Sequence, residues 1–206
     1  WDMHRTWRDH GETAAQTIRA CAVKMHGREI SIKTALKWVR QANQIIYRMA
    51  NEKPECMGMG TTMTFLYFMN KHALLAHVGD SRCYRIRDGR IMQLTKGHSL
   101  VAELVRIAEI TPEQARNHPY RNIITRAIGT DESVEVDVVV EERRKGDLWL
   151  ACSDGLHGLV DDRQMRDALR QYAPEKAADV LLKAALDAGG RDNVTLVIVH
   201  DGEEPA

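Results

Sequence analysis

The spacing of apolar residues changes along this chain of 206 residues, and the change limits the folds that the chain can adopt. Between residues 12 and 50, apolar side chains recur every three or four positions, as on one face of an α-helix. Between residues 61 and 94 they form short β-branched, aromatic and alternating runs that predict strands, and Asp88-Gly89 predicts a hairpin. The rest mixes both periods. Helices grouped in pairs and strands grouped in runs predict an α+β fold.

The pattern divides into predicted elements. Helices are predicted over 12–25, 31–50, 99–107, 161–172 and 174–188, with a further helix start at Thr111-Pro112. Strands are predicted over 61–68, 72–78, 84–87, 90–94, 134–139, 148–152 and 194–199. The short spacing of the strands between 72 and 94 predicts an antiparallel meander. No repeat or linker interrupts the pattern, so we expect a single domain over 1–200 and a polar tail at 201–206.

Composition excludes several classes of protein. With 44% hydrophobic residues the chain can build a core, and its 29 basic and 29 acidic residues give a formal charge of +0. Nucleic-acid-binding proteins usually carry a basic excess, so neither nucleic acid nor an anionic membrane is an expected partner. No apolar run approaches the roughly 18 residues of a membrane helix. The four cysteines are widely separated, which favours reduced thiols in a cytoplasmic protein over a zinc site or a disulfide scaffold.

Acidic turns lie at the ends of predicted strands. Asp154, in CSDGL at 152–156, follows one strand, and Asp192, in GGRDN at 189–193, precedes another. If the two strands are neighbours, both carboxylates converge on one edge of the sheet. Carboxylates without a nearby His or Cys suit Mg²⁺ or Mn²⁺ better than zinc.

The same residues have a purely structural interpretation. Asp, Asn and Gly favour turns for backbone reasons alone, and the spacing by itself favours ordinary turns over a metal site at Asp154 and Asp192. For a third cluster, HVGDSR at 77–82, we also favour a tight turn, in which Asp80 accepts hydrogen bonds from backbone N–H groups. From the residues alone, the metal site stays an open alternative.

Five motifs occur in a fixed order along the chain: GMGTT at 58–62, HVGDSR at 77–82, NIITRAIG at 122–129, CSDGL at 152–156 and GGRDNVT at 189–195. In this order they resemble the PP2C family of metal-dependent protein serine/threonine phosphatases, and most of all its small bacterial members. The resemblance extends over roughly residues 11 to 200. An unrelated α+β binding module could carry any one of these turns, but the ordered set argues against it.

The resemblance implies a four-layer α-β-β-α sandwich of two antiparallel sheets flanked by helix pairs. It also implies two Mn²⁺ or Mg²⁺ ions, for which Asp154 and Asp192 match family ligands, with Asn193 beside the second. In the family a metal-activated water hydrolyses phosphoserine or phosphothreonine, so no side chain is assigned a catalytic role, and the substrate-binding residues are unknown. The implied partners are Ser/Thr-phosphorylated proteins, among them a cognate kinase, and we expect a cytoplasmic monomer.

Three family motifs are absent or altered. No R-x-x-N-E-D-like segment, whose Arg binds the substrate phosphate in the family, is present. Of the family's D-G-M-G-G-H-x-x-G-E motif only His10-Gly11-Glu12 matches. Met3 stands in place of the Asp that bridges two metals, and Asp2 is one residue out of register. Gly97, in TKGHS at 95–99, replaces an Asp that helps to hold a third metal in the family.

These departures have a physical consequence. Two divalent ions repel each other unless anionic ligands bridge them, so we expect the chain as written to bind one metal well at most and to hydrolyse phosphoesters poorly. One explanation is an N-terminally incomplete phosphatase that lacks the family's first strands, which the start at Trp1 favours. The alternative is a degenerate domain that serves as a phosphoprotein-binding or scaffold module, which Gly97 favours. We favour the phosphatase.

Overall fold

The computed structural model describes residues 3–25, 27–52 and 54–202, and within them the side chains from residue 11 onward except that of residue 55. The chain folds into two compact units. The first comprises the chain before Asp80 together with Gly97–Glu141, and the second comprises Asp80–Lys96 together with the chain from Glu142 onward. The single domain over 1–200 stays a prediction, and positions 203–206 of the polar tail lie outside the described residues.

Helices and strands alternate in groups along the chain. Their bounds are α1 (Met3–Val23), α2 (Ile32–Glu52), β1 (Met63–Phe68), β2 (His72–Val78), β3 (Arg82–Arg87), β4 (Arg90–Gln93), α3 (Leu100–Arg106), α4 (Pro112–Arg116), β5 (Asp137–Glu142), β6 (Leu148–Cys152), α5 (Asp154–His157), α6 (Asp162–Gln171), α7 (Pro174–Asp187) and β7 (Leu196–His200). A short 3-10 turn occupies Pro54–Cys56. None of the helices in the described ranges has the length and hydropathy needed to cross a bilayer.

The first unit packs a helix pair on a three-stranded sheet. The sheet order is β1-β2-β5, and β1 pairs antiparallel with β2. Side chains of α1 and α2 share one buried core with those of β1 and β2, among them Ile46 and Leu74, both fully buried. In this core the rings of Trp38 and Tyr67 meet edge to face, with their centroids 5.7 Å apart. Burial of the apolar faces of both helices therefore holds this unit together.

The second unit has its own sheet and core. The strand order is β4-β3-β6-β7, and every neighbouring pair is antiparallel. Helices α6 and α7 contribute Met165 and Leu181 to a core that also contains Tyr84 of β3 and Leu150 of β6. The prediction of an α+β fold with two antiparallel sheets and associated helices is confirmed.

Local chemistry sets several helix starts and one hairpin. Ser31 Oγ accepts a hydrogen bond of 3.2 Å from a backbone N–H in the first turn of α2. Thr111 and Gln114 form a reciprocal capping box at the start of α4. Between β3 and β4, Asp88 and Gly89 have φ angles of 50° and 72°, the positive values that a tight two-residue hairpin turn requires. These starts and this hairpin agree with the predictions.

Two sequence predictions are wrong. The strands between 72 and 94 do not form one meander, because β2 and β3 belong to different sheets. Gly79, with φ of 115°, turns the chain away after β2, in a conformation that side-chain-bearing residues rarely adopt. The strand predicted over 134–139 lies three residues further along, at β5. Val134 and Val136 do pack against the first core, so their alternation reports burial rather than strand pairing.

Candidate active site

Three neighbouring strands of the second unit meet at one edge of their sheet. β3 begins at Arg82, which pairs with Cys152, the last residue of β6. Cys152 pairs in turn with Leu196, the first residue of β7. The condition under which the carboxylates of Asp154 and Asp192 converge, that their strands are neighbours, is therefore met. Because adjacent strands run in opposite directions, the segments before β3, after β6 and before β7 all lie at this edge.

Each of these segments carries an aspartate. Asp80 lies just before β3, Asp154 is the first residue of α5 after β6, and Asp192 lies in the loop that leads into β7. Sequence reasoning brings Asp154 and Asp192 together but assigns Asp80 to a tight structural turn rather than to the same edge of the sheet. A signal was available, because Asp80 precedes a strand just as Asp192 does.

Two of the three carboxyl groups, those of Asp80 and Asp154, have raised pKa values. The pKa of Asp154 is raised, first by burial and second by the charge of Asp192. The pKa of Asp80 is raised to about 6, first by burial and then by Asp154, with a smaller rise from Asp192 and an opposing effect from Arg82. Carboxylates this close together concentrate negative charge, which a cation would stabilise.

Backbone amides orient two of these carboxylates. Oδ1 of Asp154 accepts a hydrogen bond of 2.9 Å from the N–H of Gly155. Oδ1 of Asp192 accepts one of 2.7 Å from the N–H of Asn193. Within the described part of the chain, no hydrogen bond engages Oδ2 of either carboxylate. Each group therefore has a fixed orientation and an oxygen that is open to a ligand.

The donor atoms match a hard divalent cation, since carboxylate oxygens are the side-chain ligands that Mg²⁺ and Mn²⁺ prefer. Among the described residues, no group of three or more His, Cys, Asp or Glu side chains forms a metal-binding cluster. Asp2 and the side chain of Met3, at the position of the family's bridging Asp, lie outside the described residues. Gly97 lies in the first unit, close to Ser99, the N-cap of α3.

The structure thus combines two sheets and their associated helices with aspartates at one edge of the second sheet, in an α+β domain. The model of the protein phosphatase 2C family matches residues 27–194. The chain belongs to this family, as its ordered motifs predicted. Members of the family depend on metal ions.

Bacterial serine/threonine phosphatases are among the relatives of the chain. It is 39% identical to the serine/threonine protein phosphatase PstP of Mycobacterium tuberculosis over 191 aligned residues. The aligned residues make up 91% of this chain but only 37% of PstP. It is 38% identical over 165 residues to the phosphatase Stp of Listeria monocytogenes, covering 80% of this chain and 66% of Stp. The chain thus spans little more than a third of the full length of PstP.

Solved structures of the family show the same fold. The structure of the Mycobacterium tuberculosis phosphatase PstP/Ppp matches with a TM-score of 0.84 and 36% identity, over 94% of this chain and 83% of that one. A PstP catalytic domain in complex with two manganese ions matches with a TM-score of 0.79 and 36% identity, over 91% of this chain and 80% of that one.

Proposed function

We propose that this chain is a metal-dependent protein serine/threonine phosphatase that hydrolyses phosphoserine and phosphothreonine in proteins. The observation that carries the proposal is the meeting of Asp154 and Asp192 at one edge of the β6–β7 pair, in a chain that belongs to the protein phosphatase 2C family. Relatives that are 38–39% identical are named serine/threonine phosphatases, which supports the same reaction class for this chain.

Asp154 and Asp192 would hold a Mn²⁺ or Mg²⁺ ion. Each Oδ1 atom accepts a hydrogen bond from a backbone N–H, and the Oδ2 atoms would be available to bind the ion. Asp80 adds negative charge beside Asp154 and favours a bound cation through charge rather than through an assigned bond. Two carboxylates balance the charge of one divalent ion, so these residues are expected to bind one ion well.

The chemistry that such an ion supplies is activation of water and stabilisation of the negative charge that develops on a transferred phosphoryl group. The residues of the chain would position the ion. Burial of Asp154 removes competing water and strengthens its attraction to a cation. The substrate-binding residues stay unassigned.

We propose that the substrates are Ser/Thr-phosphorylated proteins, with a cognate kinase among them, and that the chain acts as a cytoplasmic monomer. The names of the relatives support the substrate class. Cys56, Cys83 and Cys152 are free, buried thiols, which is typical of proteins from a reducing compartment.

The test replaces each proposed ligand by its uncharged isostere. Asp154→Asn and Asp192→Asn should each abolish calorimetrically measured Mn²⁺ binding and lower the hydrolysis of a phosphothreonine peptide on the order of 100-fold or more. Asp167→Asn, at an exposed position of α6, is the matched control and should change neither quantity. Wild-type Mn²⁺ affinity in both ligand variants would refute the assignment. Tight Mn²⁺ binding by the unaltered chain without any hydrolysis would support the binding-module alternative instead.

A further inference from the structure

Ser153 occupies the N-cap position of α5, yet its side chain makes no capping hydrogen bond to that helix. Instead, Ser153 Oγ accepts a hydrogen bond of 3.0 Å from the N–H of Thr195 and lies 3.2 Å from the carbonyl oxygen of Asn193, to which it donates. The backbone N–H of Ser153 donates to the carbonyl oxygen of Thr195 at 3.0 Å. The hydroxyl of an N-cap serine normally accepts a hydrogen bond from the first turn of its own helix. The hydroxyl of Ser153 instead bonds to the loop that carries Asp192.

Gly155, on the other side of Asp154, holds the same loop by close approach. A Cβ atom at this position would lie 2.4 Å from the carbonyl oxygen of Asn193 and 2.9 Å from its carbonyl carbon. The backbone of Asn193 therefore rests directly on the first turn of α5. Ser153 and Gly155, which precede and follow Asp154 in the sequence, thus both contact Asn193, the residue after Asp192.

The contact acts against a repulsion. Asp154 and Asp192 lie at the same edge of the β6–β7 pair, and two carboxylates close together repel each other when no cation lies between them. The loop that bears Asp192 begins with Gly189 and Gly190, whose φ angles of 119° and 50° show a backbone that uses the freedom of glycine. Without an anchor, repulsion would favour conformations in which the two carboxylates lie further apart.

We propose that Ser153 is a positioning residue that holds Asp192 beside Asp154 before a divalent cation binds. The inference rests on the proposed function, because it assigns Ser153 a part in preparing the proposed ligand pair. A preformed pair does not spend binding free energy on ordering the loop, so the hydroxyl of Ser153 contributes to cation affinity without touching the cation.

The experiment compares Mn²⁺ binding by calorimetry with the unfolding temperature of the metal-free chain. Ser153→Ala should weaken Mn²⁺ binding by about 10–100-fold, the range typical of residues that orient metal ligands. Ser153→Thr keeps a hydroxyl and should restore affinity to within a few-fold of wild type. Ser31→Ala is the matched control, since Ser31 is an N-cap whose hydroxyl does serve its own helix. It should lower the unfolding temperature and leave Mn²⁺ affinity unchanged.

Each outcome is decisive. Wild-type Mn²⁺ affinity in Ser153→Ala, together with loss of binding in Asp154→Asn and Asp192→Asn, would overturn the role of Ser153 while leaving the proposed function intact. Retention of affinity in the two Asp variants would overturn the proposed function itself. A Ser153→Ala chain that no longer folds, or a Ser153→Thr chain that folds but binds as weakly as Ser153→Ala, would also overturn the positioning role.

Discussion

Asp80 shows how strongly burial and neighbouring charge act on a single residue. Its pKa is raised to about 6, first by burial and then by Asp154, whereas Arg82 opposes the rise. The folded chain therefore binds a proton at Asp80 at pH values where the unfolded chain, with a carboxyl pKa of about 3.9, has released it. Stability from this group is fully present below the unfolded pKa and is lost as the pH rises through 6.

Asp80→Asn should therefore stabilise the metal-free chain at neutral pH. We expect a gain of about 1–2 kcal/mol at pH 7.5, because the amide removes a carboxylate that is forced to ionise near Asp154. At about pH 2.5, well below the unfolded pKa of about 3.9, the carboxyl is protonated in both states and the gain should vanish. Thermal unfolding in the presence of a chelator at the two pH values measures the difference, with Asp167→Asn as an exposed control. An equal gain at both pH values would show that ionisation of Asp80 is not its cause.

Elements of the second unit are braced at the end of the sheet opposite the aspartates. Arg87, the last residue of β3, binds Asp147 through two hydrogen bonds of 2.8 and 2.7 Å, and Asp147 is only 1% exposed. Arg143 binds Asp201 in the same bidentate way, with both distances 2.8 Å. The ladder of strands is thus closed by buried ion pairs at one end and carries its acidic turns at the other.

Asp147→Ala should cost about 3–5 kcal/mol of unfolding free energy, because it leaves Arg87 largely buried without its partner. Glu103→Ala breaks the exposed pair with Arg106 and should cost no more than about 1 kcal/mol. Urea unfolding of both variants measures the contrast. Similar losses in the two variants would show that burial does not set the value of the Arg87–Asp147 pair.

At the scale of the whole molecule, cation binding at the proposed site is linked to folding. A ligand that binds only the folded chain at 100 times its dissociation constant adds about 2.7 kcal/mol of stability. For a chain of 206 residues each kcal/mol raises the unfolding temperature by about 2–4 °C. Saturating Mn²⁺ should therefore raise it by about 5–10 °C, and a chelator should reverse the rise. Calorimetric scans of the chain and of an Asp154→Asn, Asp192→Asn double variant test this, since the variant should show no rise.

Across the molecule, the bounds of β2, β6 and α7 follow from the sequence almost residue for residue. The period of apolar residues and the capping residues act within one element, so a short window of sequence is enough to predict the bounds of that element. Part of the candidate site was predicted: Asp154 and Asp192 stand out by their turns, and the sequence allowed their strands to be neighbours. The start of β5 and the contribution of Asp80 were not predicted, because both depend on which strands pair.

Local chemistry along the chain determined which segments become helices and strands and which turns carry aspartates, since caps, turn residues and apolar periods act over a few neighbouring positions. Only the tertiary structure decided that β3 leaves β2 to pair with β6. That pairing brings Asp80 to the edge shared by Asp154 and Asp192. Pairing between strands far apart in sequence depends on how whole faces are buried in each core, and spacing along the chain does not encode that choice.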